Sequence, residues 1–157
     1  MSEKNPACAE AQMLIRRPVA EVFEAFIDPD ITKHFWFTKG SGKLEVNKTV
    51  TWEWEMYNVK ATVLAKEIIQ NEKIVLEWGE PARTVAFTFK QLNKDSTYVV
   101  VTESGFRLTG DELLTEIKGS TGGFTTVLDG LKAFLEHHIH LNLIADKFPK
   151  ELTKHGK

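Results

Sequence analysis

The sequence predicts an α+β fold of two layers, a curved antiparallel β-sheet wrapped around a long C-terminal α-helix, and three observations predict it. Apolar residues Phe124, Val127, Leu128, Leu131, Phe134, Leu135 and Ile139 recur at three- and four-residue steps within STGGFTTVLDGLKAFLEHHIHLN, which is one side of a helix. Period-two alternation runs through Val50, Trp52, Trp54 and Met56, through Ile74, Leu76 and Trp78, through Val85, Phe87 and Phe89, and through Val99 and Val101. Short polar links, Asn47-Lys48, Gln70-Asn71-Glu72 and Asn93-Lys94-Asp95, join neighbouring strands directly, as in a meander rather than a crossover sheet. Helix and sheet thus each carry an apolar face, and the simplest arrangement covers one with the other. Burying the helix side chains is worth roughly 10–20 kcal/mol gross, far more than helix propensity supplies.

Taken in order, residues 1–9 read as a loose tail and residues 10–142 as a single domain. Residues 10–16, EAQMLIR, permit a first strand, and Pro18 then presets the dihedral of a first helical turn. Val19, Val22, Phe23, Phe26 and Ile27 share a helical face until Asp28-Pro29 breaks it and restarts it toward His34, so two short helices follow the first strand. Strands are expected at 43–46, 49–55, 57–69, 73–78, 83–92 and 97–106, each bounded by turn residues. Thr109 with Glu112 forms a possible capping box, giving a separate helical turn or two over 110–118. The long helix is expected to start at Ser120 and Thr121, whose hydroxyls meet free amides, and to run to Asn142. Residues 143–157 read as a fraying C-terminal extension.

The totals exclude several classes. The chain of 157 residues carries 20 basic and 22 acidic residues without blocks, which leaves no electrostatic footprint for nucleic acid or an anionic membrane. No stretch approaches a membrane span, and MSEKNPACAE lacks the pattern of an export leader, so a cytoplasmic location is expected. Cys8 is the only cysteine, which rules out an internal disulfide and suits a reducing compartment.

Three passages carry a resemblance. RPVAEVFEAFIDPDITKHFWF, TYVVVTESGF and TGGFTTVLDGLKAFLE, in that order over about residues 10–142, resemble the helix-grip fold of the SRPBCC superfamily, and within it the branch named for homologues of the activator of the heat-shock chaperone ATPase. That superfamily includes START lipid-binding domains, the birch-pollen allergen family and polyketide cyclases. The resemblance implies a cavity between sheet and helix, while the branch name implies a chaperone as partner. One departure is Phe124, where the branch often has tryptophan.

The chemistry rests on a few side chains. Trp52, Trp54, Trp78, Phe87, Phe89, Phe124 and Phe134 point inward with Leu128 and Leu131, and they either line a pocket or simply fill a core. Trp36 and Phe37, next to a Gly-Ser-Gly turn, are expected to guard the mouth of such a pocket. Glu103 continues the alternation of Val99 and Val101, which puts a carboxylate on the core face; it anchors a ligand hydroxyl or acts as a base, unless a bulge at Ser104-Gly105 turns it to solvent. His138 follows Phe134 by four residues and is expected on the buried side of the helix, facing Glu103 if register allows, whereas His137 and His140 face solvent. Neither Ser41 nor Ser104 has the flanks of a nucleophile elbow, and KGSGK and GSTGG lack the phosphate-loop pattern. No metal or cofactor is expected. The expected function is reversible binding of a small hydrophobic or aromatic molecule, lipid-like or polyketide- or flavonoid-like, without catalysis. The alternatives are a co-chaperone-like module that stimulates a chaperone ATPase, and a cyclase, dehydratase or hydrolase using Glu103 and His138. The sequence leaves the oligomeric state open.

Overall fold

Strands with one apolar face and short turns make the sheet, and the computed structural model, which describes residues 6–152, shows seven of them. They are β1 (Ala9–Ile15), β2 (Lys39–Gly40), β3 (Thr49–Trp54), β4 (Val59–Ile69), β5 (Lys73–Trp78), β6 (Arg83–Asn93) and β7 (Ser96–Ser104). Their order across the sheet is β1-β7-β6-β5-β4-β3-β2, with every neighbouring pair antiparallel. Register shifts at Ala65/Glu67 and Gln91/Asn93 add local twist, which bends the sheet. Two short helices, α1 (Val19–Ile27) and α2 (Pro29–Thr32), follow β1 as expected; Asp28 accepts a hydrogen bond from the Asp30 amide and so caps the second. The fold is the α+β helix-grip arrangement, with α3 (Gly110–His137) laid along the apolar face.

The centre of that interface is packed with rings. Trp36 meets Trp52, Phe87 and Phe124 edge-on at centroid distances of 4.9, 6.0 and 5.7 Å, while Phe37 stacks on Trp52 at 4.7 Å. Such contacts contribute about 0.5–1.5 kcal/mol each beyond burial alone. Leu128 and Leu131 press onto this cluster from α3 and are fully buried.

Four expectations fail, each for a local reason. The first strand after the short helices is Lys39–Gly40, not 43–46. Gly40 lies so close to α2 that a Cβ there would sit 2.6 Å from Pro29 Cβ, whereas the chain at Leu44 dips under α1, its amide bonded to the Ile27 carbonyl at 3.1 Å. Residues 110–118 and the long helix are one element of 28 residues, and Gly119, Gly122 and Gly123 lie inside it rather than at its start. Thr109 does occupy the N-cap position, but its side chain makes no capping bond. The helix ends at His137: His138 adopts a left-handed conformation (φ 56°), its amide still reaching the Phe134 carbonyl at 2.8 Å. Ile139 is therefore off the helix and exposed.

The fourth correction concerns the C-terminal extension. Instead of fraying after Asn142, the chain forms α4 (Leu143–Lys147) and folds back onto α3. The Tyr57 phenol, in the turn before β4, donates to the carbonyls of Ile144 and Phe148. Burial, and then the nearby Asp146 carboxylate, push the Tyr57 phenol above its ordinary range, so it stays a donor. The parts of the expected tail and extension at residues 1–5 and 153–157 lie outside the described residues.

Candidate functional site

The sheet register gathers three side chains from three strands at one end of the apolar face. Trp78 pairs with Arg83 across β5 and β6, and Val85 pairs with Glu103 across β6 and β7. Because side chains on paired residues share a face, the indole, the guanidinium and the carboxylate converge. Glu103 is only 3% exposed, as its alternation predicts, and its Oε2 accepts a hydrogen bond of 2.9 Å from Trp78 Nε1. Arg83 Nη1 lies 3.9 Å from the same oxygen. The other arm of Arg83 donates to Glu116 Oε1 at 2.9 Å, tying the sheet to the first turns of α3, and its guanidinium lies 4.5 Å from the Phe106 ring centroid. A buried carboxylate costs several kcal/mol when unpaired, and this one has an aromatic donor and a cation.

Around this group opens a cleft of about 850 Å3, walled by Trp54 and Trp78, by the turn Gly79-Glu80-Pro81, by Gly105, Arg107 and Leu108, and by Ser120 of α3. An inner pocket of about 160 Å3 adjoins it, sharing Trp78, Glu103 and Ser120 and adding Trp36, Phe124, Val127 and Ile144. Glu103 lines both hollows, and its contacts with Trp78 and Arg83 are both made through Oε2. Chemically, the site offers a fixed acceptor at the base of an aromatic slot. Among the described residues no cluster of three or more His, Cys, Asp or Glu is placed to hold a metal.

The expected site residues fall in different places. Trp36, Trp54, Trp78, Glu103 and Phe124 meet at the cleft and its inner pocket. Trp52, Phe87, Phe89, Leu128 and Leu131 are buried in the core and are not among the lining residues of either hollow. Phe37, placed at the mouth by its neighbouring turn, is 1% exposed, because its ring is sandwiched onto Trp52. Phe134, in the last turn of α3, stacks on His34 at 4.5 Å and lines neither hollow. His138 is exposed, because the left-handed residue that ends α3 turns it off the buried stripe; Glu103 has Trp78 and Arg83 as partners in its place.

Sequence reasoning missed Arg83, Ser120, Ile144 and the loop glycines. Arg83 was within reach, since it continues the series Phe89, Phe87, Val85 by one more step of two. Gly79 and Gly105, both with positive φ, follow inward-facing Trp78 and Glu103 and let the chain turn away at the cleft rim. Ile144 sits in a segment with no periodicity to reveal it.

A sheet gripping a long helix, with an aromatic cleft at one end of their interface, defines a helix-grip protein of the SRPBCC class. Residues 16–136 match the family described as activator of Hsp90 ATPase homolog 1-like protein. The chain belongs to that family. No curated protein matches it. Among solved structures it is similar to the protein SSP2350 from Staphylococcus saprophyticus, with 27% identity over 86% of this chain and 96% of that one and a TM-score of 0.76. It also resembles the Aha1 dimer from Colwellia psychrerythraea (18% identity, 83% and 97% covered, TM-score 0.71). DynU16, of the dynemicin biosynthetic locus, shares the fold at 16% identity and TM-score 0.76; 87% of this chain is covered, and it spans about half (49%) of that chain.

Proposed function

We propose that the protein binds a small, largely apolar molecule carrying a hydrogen-bond donor, with its rings or chains against Trp54 and Trp78 and its donor on Glu103. The observation that carries this reading is the buried Glu103 carboxylate, oriented by the Trp78 indole and lining an aromatic cleft. An acceptor so placed favours ligands that satisfy it, because a ligand lacking the donor leaves it desolvated and unpaired. The volume of about 850 Å3 lies within the range of small-molecule sites. The fold adds support, since the superfamily includes lipid-binding domains.

Calorimetric titration with 1-naphthol tests the reading. Saturable binding is expected, weakened about tenfold or more in Glu103→Gln, as for loss of a hydrogen bond to a charged group. No saturable heat with the wild type contradicts it. A second reading, stimulation of a chaperone ATPase, is favoured by the family description. It is favoured over the first if this chain accelerates an Hsp90-type ATPase and Glu103→Gln does so equally.

A further inference from the structure

Two neighbouring hollows share a two-residue partition. The inner pocket of about 160 Å3 continues the cleft, and a second hollow of about 240 Å3 lies beyond it, lined among others by His34, Phe35, Gly130 and His140. Trp36 and Ile144 line both. Trp36 is the immobile half of this partition, with the rings of Trp52, Trp78, Phe87 and Phe124 within 6.0 Å of its own. Ile144 is differently held. It rides on the five-residue α4, whose polar ties are the Tyr57 hydroxyl on the Ile144 and Phe148 carbonyls and Lys147 Nζ on Gly122 O (3.1 Å) and Thr126 Oγ1 (3.0 Å). Ile144 itself is half-buried, and none of the α4 residues is fully buried. With no fully buried residue and with the two Lys147 ties exposed, α4 has the character of a segment that opens locally at low cost, the part-buried Tyr57 bonds being its main latch.

We propose that Ile144 is the end wall that sets how long a ligand the cleft accepts, and that α4 is the strap that yields when a longer one binds. The inference rests on the cleft being a site for apolar molecules. A short chain anchored on Glu103 ends against Ile144. A longer one needs Ile144 shortened or displaced, after which the inner pocket and the second hollow run together past Trp36. Each methylene that then finds apolar cover strengthens binding about fourfold.

The test uses straight-chain primary alcohols from hexanol to tetradecanol, titrated against the full chain and followed by tryptophan fluorescence. Wild-type affinity is expected to rise about fourfold per carbon and then level off at one chain length. In Ile144→Ala, which removes three side-chain carbons, the levelling point moves to longer chains by about two methylenes, a gain of about fifteenfold for chains just past the wild-type limit. Tyr57→Phe leaves every lining side chain in place and loosens the strap, so it also favours long alcohols while short ones bind as before; it carries the test if Ile144→Ala is poorly folded. Wild-type binding with the same length limit in both variants overturns the inference and leaves the ligand reading intact. Absence of binding by any alcohol to any form overturns both.

Discussion

Glu103 and Arg83 show how a site is written one residue at a time. The same alternation that buries Val99 and Val101 drives a carboxylate under the helix, and the same alternation on β6 brings a guanidinium beside it. Glu103 was legible for that reason, and Arg83 equally so, at the first position of its strand. His138 was not legible. Its spacing from Phe134 is helical, but a left-handed residue at the helix end breaks the projection, and nothing in EHHIHLN marks where that happens. His34 carries a prediction of its own. Burial first, then His140 and Lys33, lower its pKa below the ordinary histidine value, against the smaller opposing pull of Asp30. Its ring stacks on Phe134, which His138 meets edge-on at 6.4 Å. With the folded value depressed, the unfolded chain takes up the proton first as pH falls. The His34 contribution to stability is therefore present above the ordinary histidine range and is lost on acidification through it. Urea midpoints are expected to fall between about pH 7 and pH 5, and His34→Phe, which keeps the stack, to flatten that part of the profile. An unchanged pH profile in the variant contradicts this.

At the scale of elements, α3 is the instructive case. Three glycines within its middle would break most helices of marginal propensity, since each costs about 1 kcal/mol relative to alanine. The helix continues because its last turns are fixed by Phe124, Val127, Leu128 and Leu131, while its first turns, rich in Glu and Leu, are tied down through Glu116 to Arg83. Periodicity found the buried half; the outer half, with Leu114 58% exposed, gave no stripe that would join it to the rest. The glycines also separate two effects. A Cβ built on Gly119 or on Gly123 meets nothing within 4 Å, but Gly123 lines the inner pocket. Gly119→Ala is expected to raise stability by about 1 kcal/mol in urea unfolding with 1-naphthol affinity unchanged. Gly123→Ala is expected to stabilise comparably and to weaken binding by narrowing the pocket. Equal binding by both variants would remove Gly123 from the site. Strand β2 and helix α4 were illegible for a shared reason: each is short and placed by contacts with distant chain, Gly40 by Pro29 and α4 by Tyr57.

At the scale of the molecule, sheet and helix share one apolar interface that holds the fold together and that, in the proposed function, also receives the ligand. Its middle is a solid cluster of rings around Trp36 and Trp52, and the aromatic cleft opens at the end near the β5–β6 turn. The architecture was readable because period-two alternation, short polar links and one helical stripe all point to the same two layers. The location of the opening was not, because segments distant in the chain, around 79–83, 103–108 and 120–124, form its walls only once the register is set. No helix of the described chain is long and apolar enough to cross a membrane. The most direct test is a nitrogen–proton correlation spectrum of the four tryptophan indole groups during titration with 1-naphthol. The Trp78 and Trp54 signals are expected to shift in a saturable way, with Trp78 moving most because its N–H is bonded to Glu103, while the deeply buried Trp52 signal stays in place. An unmoved Trp78 signal at saturating 1-naphthol would contradict the assignment of this cleft as the binding site.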